Sequence, residues 1–170
     1  MSPSARNRRA RAPALISLVL GLVLCFTAPA ARAMTIERVV SPGGIEAWLV
    51  RDQTLPLIAV EFAILGSAVQ DPADKPGVAN LATSLLDEGA GPFDTTAFHE
   101  RLERKAIELS FRAGRDYLRG TLRTLKDNRD EAFDYLRLAL TEPRFDAEAV
   151  ERMRAQVMSR LQRESVSPND

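Results

Sequence analysis

The feature that most constrains this chain is the spacing of its apolar residues, which switches from every second position to every third or fourth, then back, and then again. Residues 36–40 and 45–50 alternate on either side of Ser41-Pro42-Gly43-Gly44 and read as a hairpin. Residues 57–65 also alternate, with Val60, Phe62 and Ile64 on one side and Ala59, Glu61 and Ala63 on the other. A strand with one so strongly apolar face is expected to be central.

A loop dense in breakers follows, with Asp71-Pro72 and Lys75-Pro76-Gly77, and beyond it the period becomes helical. In this helix Val78, Leu81, Ala82, Leu85 and Leu86 form the expected buried stripe, while Asn80, Thr83, Ser84 and Asp87 share the opposite face and Gly89 ends the element. Asp94-Thr95-Thr96 offers a cap for a second helix through Lys105. Ile107, Leu109, Phe111 and Ala113 then alternate with Glu108, Ser110 and Arg112, and Gly114-Arg115 turns the chain into a partner strand at 116–125. Two more helices are predicted at 128–141, stopped by Pro143, and from 146 onward, where Val150, Met153, Val157 and Leu161 recur at helical spacing.

Strands and helices in separate runs joined by hairpins predict an α+β fold, a mostly antiparallel sheet with helices packed on one face, and argue against a parallel doubly wound sheet. No internal repeat or low-complexity segment interrupts this order.

The first 33 residues differ from the rest. Arg6, Arg8, Arg9 and Arg11 precede an apolar run from 14 to 26 that is too short to cross a bilayer, and Ala31-Arg32-Ala33 supplies a small-x-small cleavage signal. Residues 1–33 are therefore expected to be a cleaved signal peptide, and the mature chain to be periplasmic or secreted without a stable membrane anchor. Arg8-Arg9 lacks the apolar pair that a twin-arginine signal would carry after it, and Leu24 before Cys25 is too large for a lipoprotein signal. Once Cys25 is removed the mature chain has no cysteine, so it has neither a disulfide framework nor a thiolate metal site. Cleavage also removes five arginines and no acid, leaving 18 basic against 23 acidic groups, a net charge of −5. Such a balance gives no reason to bind nucleic acid or an anionic bilayer.

Candidate chemistry is sparse. His99 is the only histidine and has Glu100 and Glu103 nearby but no second imidazole or thiolate, so it reads as a helix-surface residue rather than a ligand. Asp87 and Glu88 are sequence neighbours that point about 100° apart on a helix and do not form an acid/base dyad.

Gly66-Ser67, Asp71-Pro72, Lys75-Pro76-Gly77 and Leu86-Asp87-Glu88-Gly89 resemble the segment around the zinc helix of the pitrilysin/insulinase metallopeptidases. The resemblance continues through residues 98–103, Gly114-Arg115-Asp116-Tyr117, residues 125–128, Pro143-Arg144-Phe145 and Glu151-Arg152, and covers nearly all of 36–170. Active members of that family carry His-x-x-Glu-His on the helix after the Pro-Gly, two imidazoles for zinc and a glutamate to activate the bound water. Aligned on Lys75-Pro76-Gly77, those positions hold Asn80, Thr83 and Ser84, and the family's third ligand, a later glutamate, falls near Arg160 with Ser159 beside it. Neutral amide and hydroxyl oxygens do not replace two imidazoles, and a guanidinium about 4 Å away would oppose the metal by about 4 kcal/mol per unit of its charge at an effective dielectric near 20.

The resemblance thus implies a non-catalytic homologue with a degenerate motif, no bound zinc and no catalytic residues. It is expected to work as a subunit beside a zinc-bearing peptidase in a heterodimer, meeting peptide substrate through that complex. An independent binding or scaffold protein is the alternative, and an active metalloendopeptidase would need ligands the sequence does not offer. Residues 34–170 are expected to be a partial N-terminal domain cut short at its C-terminus, which leaves the family's later substrate-holding groups outside the chain.

Overall fold

The computed structural model describes residues 34–166, so the expected signal peptide lies outside the described residues. The chain divides into two compact units at Asp52 and Gln53.

The first unit is an antiparallel hairpin of β1 (Ile36–Val40) and β2 (Glu46–Val50), in register from Ile36 opposite Val50 to Val40 opposite Glu46. Its turn closes because Ser41 bonds Ile45 twice: the Ile45 N–H donates to the Ser41 hydroxyl at 3.0 Å, and the Ser41 N–H donates to the Ile45 carbonyl at 2.8 Å. Arg38–Glu46 at 2.7 Å and Arg51–Glu37 at 3.0 Å pair across the strands. Ion pairs this exposed contribute little.

The second unit holds a three-stranded antiparallel sheet in the order β3 (Leu57–Leu65), β5 (Tyr117–Leu125), β4 (Glu108–Ala113). Here β3 is an edge of the sheet, not its centre, and β5 is the strand bonded on both sides. The apolar alternation of β3 reports that one face is covered; it says nothing of how many strands bond to it. The register fixes two faces. Val60–Leu122–Leu109 and Phe62–Gly120–Phe111 share one, while Glu61–Thr121–Ser110 and Ala63–Arg119–Arg112 share the other.

Helices α2 (Thr95–Arg104) and α3 (Arg129–Thr141) cover the apolar face. The expected cap forms, with the Asp94 carboxylate accepting from the Ala97 N–H at 2.9 Å. Phe98 and Leu102 from α2 meet Ala132, Tyr135, Leu136 and Ala139 from α3 over Leu109 and Leu122. Phe98 and Tyr135 pack edge to face at 5.7 Å, a geometry that the ring quadrupole favours. Full burial of a side chain such as Phe98 contributes about 1.5–3 kcal/mol. On the same face Gly120 has no Cβ because the Phe62 ring lies over it; a Cβ there would sit 2.1 Å from the ring. The Phe62 ring also meets that of Phe111, at 6.4 Å.

Two helices flank this core in sequence. One is α1 (Val78–Thr83), preceded by the Lys75-Pro76-Gly77 loop, and the other is α4 (Ala147–Val166). The element order, three strands, two helices, two strands, two helices, is the expected one.

Candidate functional site

The breaker loop builds α1 in a specific way. Gly77 sits in the left-handed region at φ +96, so it offers no side-chain cap to the helix it precedes. Asp71 supplies the cap from six residues upstream: its two oxygens accept from the Gly77 N–H at 2.7 Å and the Ala79 N–H at 2.8 Å. A carboxylate there satisfies orphan donors and complements the positive helix end.

The helix is shorter than its apolar spacing predicts. After Ser84, whose N–H still donates to Asn80 four residues back at 3.1 Å, the chain tightens, with Leu85, Leu86 and Glu88 donating to carbonyls three residues back. A wheel of 100° per residue therefore fails beyond Ser84, and Gly89 ends a turn rather than the helix. The burial of the two faces is also not as the pattern predicts. Thr83 is 3 % exposed and Asn80 and Ser84 are half-buried, so the polar stripe is not a solvated face. Val78, placed in the buried stripe, is 46 % exposed, and with Leu81, Ala82, Leu85, Phe145 and Val150 it lines an open apolar groove of about 220 Å³. Leu85 and Leu86 are buried as expected. The helix packs against β4 and α4, and both of its faces are at least partly covered, with Leu81 and Ala82 half-buried beside Thr83.

Asn80, Thr83 and Ser84 thus share one turn of α1 and its cap. Arg160 and Ser159 lie in the second half of α4, both exposed, and Ser159 accepts from Arg163 at 2.7 Å. The sequence reading missed the pair that ties the end of the α1 segment to α4: Arg152 donates to Glu88 at 2.5 Å, and the Glu88 side chain is almost enclosed. Its signal was available in Glu88 standing between the apolar Leu85-Leu86 and Gly89.

Asp87 and Glu88 are no dyad here either. Glu88 is engaged with Arg152, while Asp87 opens on a cleft of about 910 Å³ walled by the three strands and α2. Burial raises the Asp87 carboxyl above the usual carboxylate range; the Glu88 charge adds to this, and a backbone hydrogen bond and His99 oppose it. His99 is half-buried at the wall of the same cleft, not on an open surface. Asn80, Thr83 and Ser84 do not line this cleft. Among the described residues no three His, Cys, Asp or Glu side chains gather as a metal site, and no helix is long and apolar enough to cross a membrane.

The sequence profile described as Insulinase (Peptidase family M16) matches residues 51–169. The chain belongs to this family. A curated family relative from Helicobacter pylori (strain ATCC 700392 / 26695), Non-peptidase homolog YmxG, is 30% identical over 152 residues, which are 89% of this chain and 34% of the relative. Among solved structures, the peptidase M16 inactive domain from Pseudomonas fluorescens superposes with a TM-score of 0.73 at 23% identity, over 79% of this chain and 33% of that one. A protease from Helicobacter pylori gives 0.63 at 17% identity, over 77% and 31%. At these identities the two structures establish the fold alone. The chain spans about a third of the length of each of these three. The α+β architecture of antiparallel strands and helices is that of an insulinase-family domain.

Proposed function

We propose that this M16 homologue is a non-peptidase subunit that, after export, assists a zinc-bearing relative in holding and cleaving peptides. The observation that carries the reading is the contrast within α1. The Asp71 cap, the Gly77 turn and the buried Thr83 are in place, and by the resemblance Asn80, Thr83 and Ser84 fall where the family motif sets its histidines and glutamate. Two similar proteins support it, since one relative is named a non-peptidase homolog and one structural neighbour an inactive domain. With amide and hydroxyl groups at those positions, zinc is held neither tightly nor with an activated water.

The test has two arms. Purified protein is assayed for zinc and peptidase activity beside a variant carrying Asn80→His, Thr83→Glu, Ser84→His and Arg160→Glu. The expected result is no zinc and no cleavage in the natural chain, with zinc uptake by the variant. Stoichiometric zinc with cleavage in the natural chain would overturn the reading. In the second arm a tagged full-length chain is used to co-purify a relative bearing His-x-x-Glu-His; recovery of the tagged chain alone favours an independent binding protein.

A further inference from the structure

The polar face of the three-stranded sheet, which lines the cleft that α2 also walls, carries charges that the fold does not use. Its rows, read across the strands, are Ala59–Arg123–Glu108, Glu61–Thr121–Ser110 and Ala63–Arg119–Arg112. Thr121 and Ser110 share a hydrogen bond at 2.7 Å, so the middle row is internally satisfied apart from Glu61. Arg112 and Arg119 stand directly opposite each other, both exposed, and among the described residues neither makes an ion pair. Like charges in directly opposed sheet positions, with Cα atoms about 4.5–5.5 Å apart, disfavour the pairing they sit on. Ala63 as the third member of the row leaves space beside them rather than a carboxylate. An arrangement that costs stability and neutralises nothing within the fold is accounted for by an anion from outside it.

The remaining charges decide which anion. Glu61 lies one row away on the same face, Arg123 and Glu108 oppose each other in the row beyond, and Asp87 and Glu103 line the cleft with them. A uniformly anionic polymer would meet repulsion within one or two rows of the arginines. Successive rows on a sheet face are about 6.6 Å apart, because residues rise about 3.3 Å each, and so are the alternate side chains of an extended peptide. A peptide lying along β5 sets an acidic residue over Arg112 and Arg119, and the residue two positions on meets Glu61.

We propose that this face binds an extended peptide of alternating charge, with Arg112 and Arg119 as the fork that selects an acidic side chain and Glu61 selecting a basic one two residues away. The inference rests on the peptide-holding role given above and names its specificity.

The test is fluorescence anisotropy on the full chain with labelled ten-residue peptides carrying Glu-x-Lys, Lys-x-Lys or neutral residues at the same positions, beside a labelled single-stranded DNA ten-mer. The Glu-x-Lys peptide is expected to bind best and to weaken with salt. The Arg112→Gln/Arg119→Gln double variant is expected to lose it by at least about tenfold, since charge-assisted hydrogen bonds disappear. Arg115→Gln in the neighbouring turn, with an unchanged circular dichroism spectrum in all variants, is expected to leave binding intact. Equal binding of the neutral peptide, equal or tighter binding of the DNA, or an unaffected double variant would each overturn the site. Co-purification of the zinc-bearing relative is followed in the same variants. Absence of selective peptide binding by the parent chain, with the relative still recovered, overturns the arginine fork and leaves the subunit reading standing. Selective peptide binding without a relative supports the fork and overturns the heterodimer.

Discussion

The two places where helices meet the sheet of the second unit are built to different rules. Between the sheet and helices α2 and α3 the enclosed side chains are mostly apolar, with Thr124 of β5 a buried polar exception, and caps and ion pairs satisfy the polar groups at the rims. At α1 the assignment is mixed: Thr83 is inside, Val78 is largely outside, and the turn after the helix ends in a carboxylate held by an arginine from another helix. A segment shaped only for stability would reverse Thr83 and Val78. The difference teaches that the enclosure of large apolar side chains, and the stability it supplies, is concentrated in the other layer.

The strongest way to break this comparison is to cut both layers. Phe98→Ala is expected to cost about 3–5 kcal/mol in urea unfolding, as a wholly enclosed aromatic truncated to a cavity does, whereas Val78→Ala is expected to cost well under about 1 kcal/mol. Equal losses would mean that α1 is as much core as α2. Next in size is Gly120→Ala, whose new methyl would sit 2.1 Å from the Phe62 ring and force it aside, at about 1–3 kcal/mol. Phe62→Leu in the same chain is expected to recover part of that loss, and failure to do so would place the strain in the β5 backbone.

The same contrast explains what the sequence made legible. Alternation in 107–125, the Asp94 cap and the stop at Pro143 are local signals, so the strands, their faces and the order of elements could be read directly. For β3 that signal was overextended, because apolar alternation shows a covered face and leaves the number of bonded neighbours open. At α1 it failed for a different reason. Leu85 and Leu86 are inside as the stripe required, but Thr83 is buried too, Val78 is exposed, and the chain leaves α-helical geometry after Ser84, so a wheel based on hydrophobicity describes only part of the segment. The Glu88–Arg152 link, formed between residues far apart in sequence, left no local pattern by which the partner could be read.

That link sharpens the comparison at the next level down. With Glu88 enclosed and Arg152 about half exposed, solvent screens the pair, and Arg152→Ala is expected to cost about 1–2 kcal/mol rather than the larger penalty of a fully buried pair. In a double-mutant cycle with Glu88→Gln, a coupling near zero would show that the α1 segment is held to α4 by the apolar contacts around Val150 alone.

The smallest effect expected is at Asp87, and it carries a sign. Burial is the main cause of its raised pKa, with Glu88 adding to it and His99 opposing it. A carboxyl whose pKa is higher folded than unfolded binds its proton more tightly in the native state. Its ionised form therefore destabilises the fold, fully so above the folded pKa and not at all below the unfolded value, near 3.8. Asp87→Asn is accordingly expected to melt slightly above the parent at pH 7, with the gap narrowing as pH falls and closing at or below about pH 4. A variant that melts below the parent at pH 7 would mean that Asp87 holds a stabilising charge contact, with His99 as the partner, and His99→Gln would then lower the parent's melting temperature without changing that of Asp87→Asn. The expected order makes Asp87 a polar group that the chain keeps partly buried at a cost to stability above about pH 4.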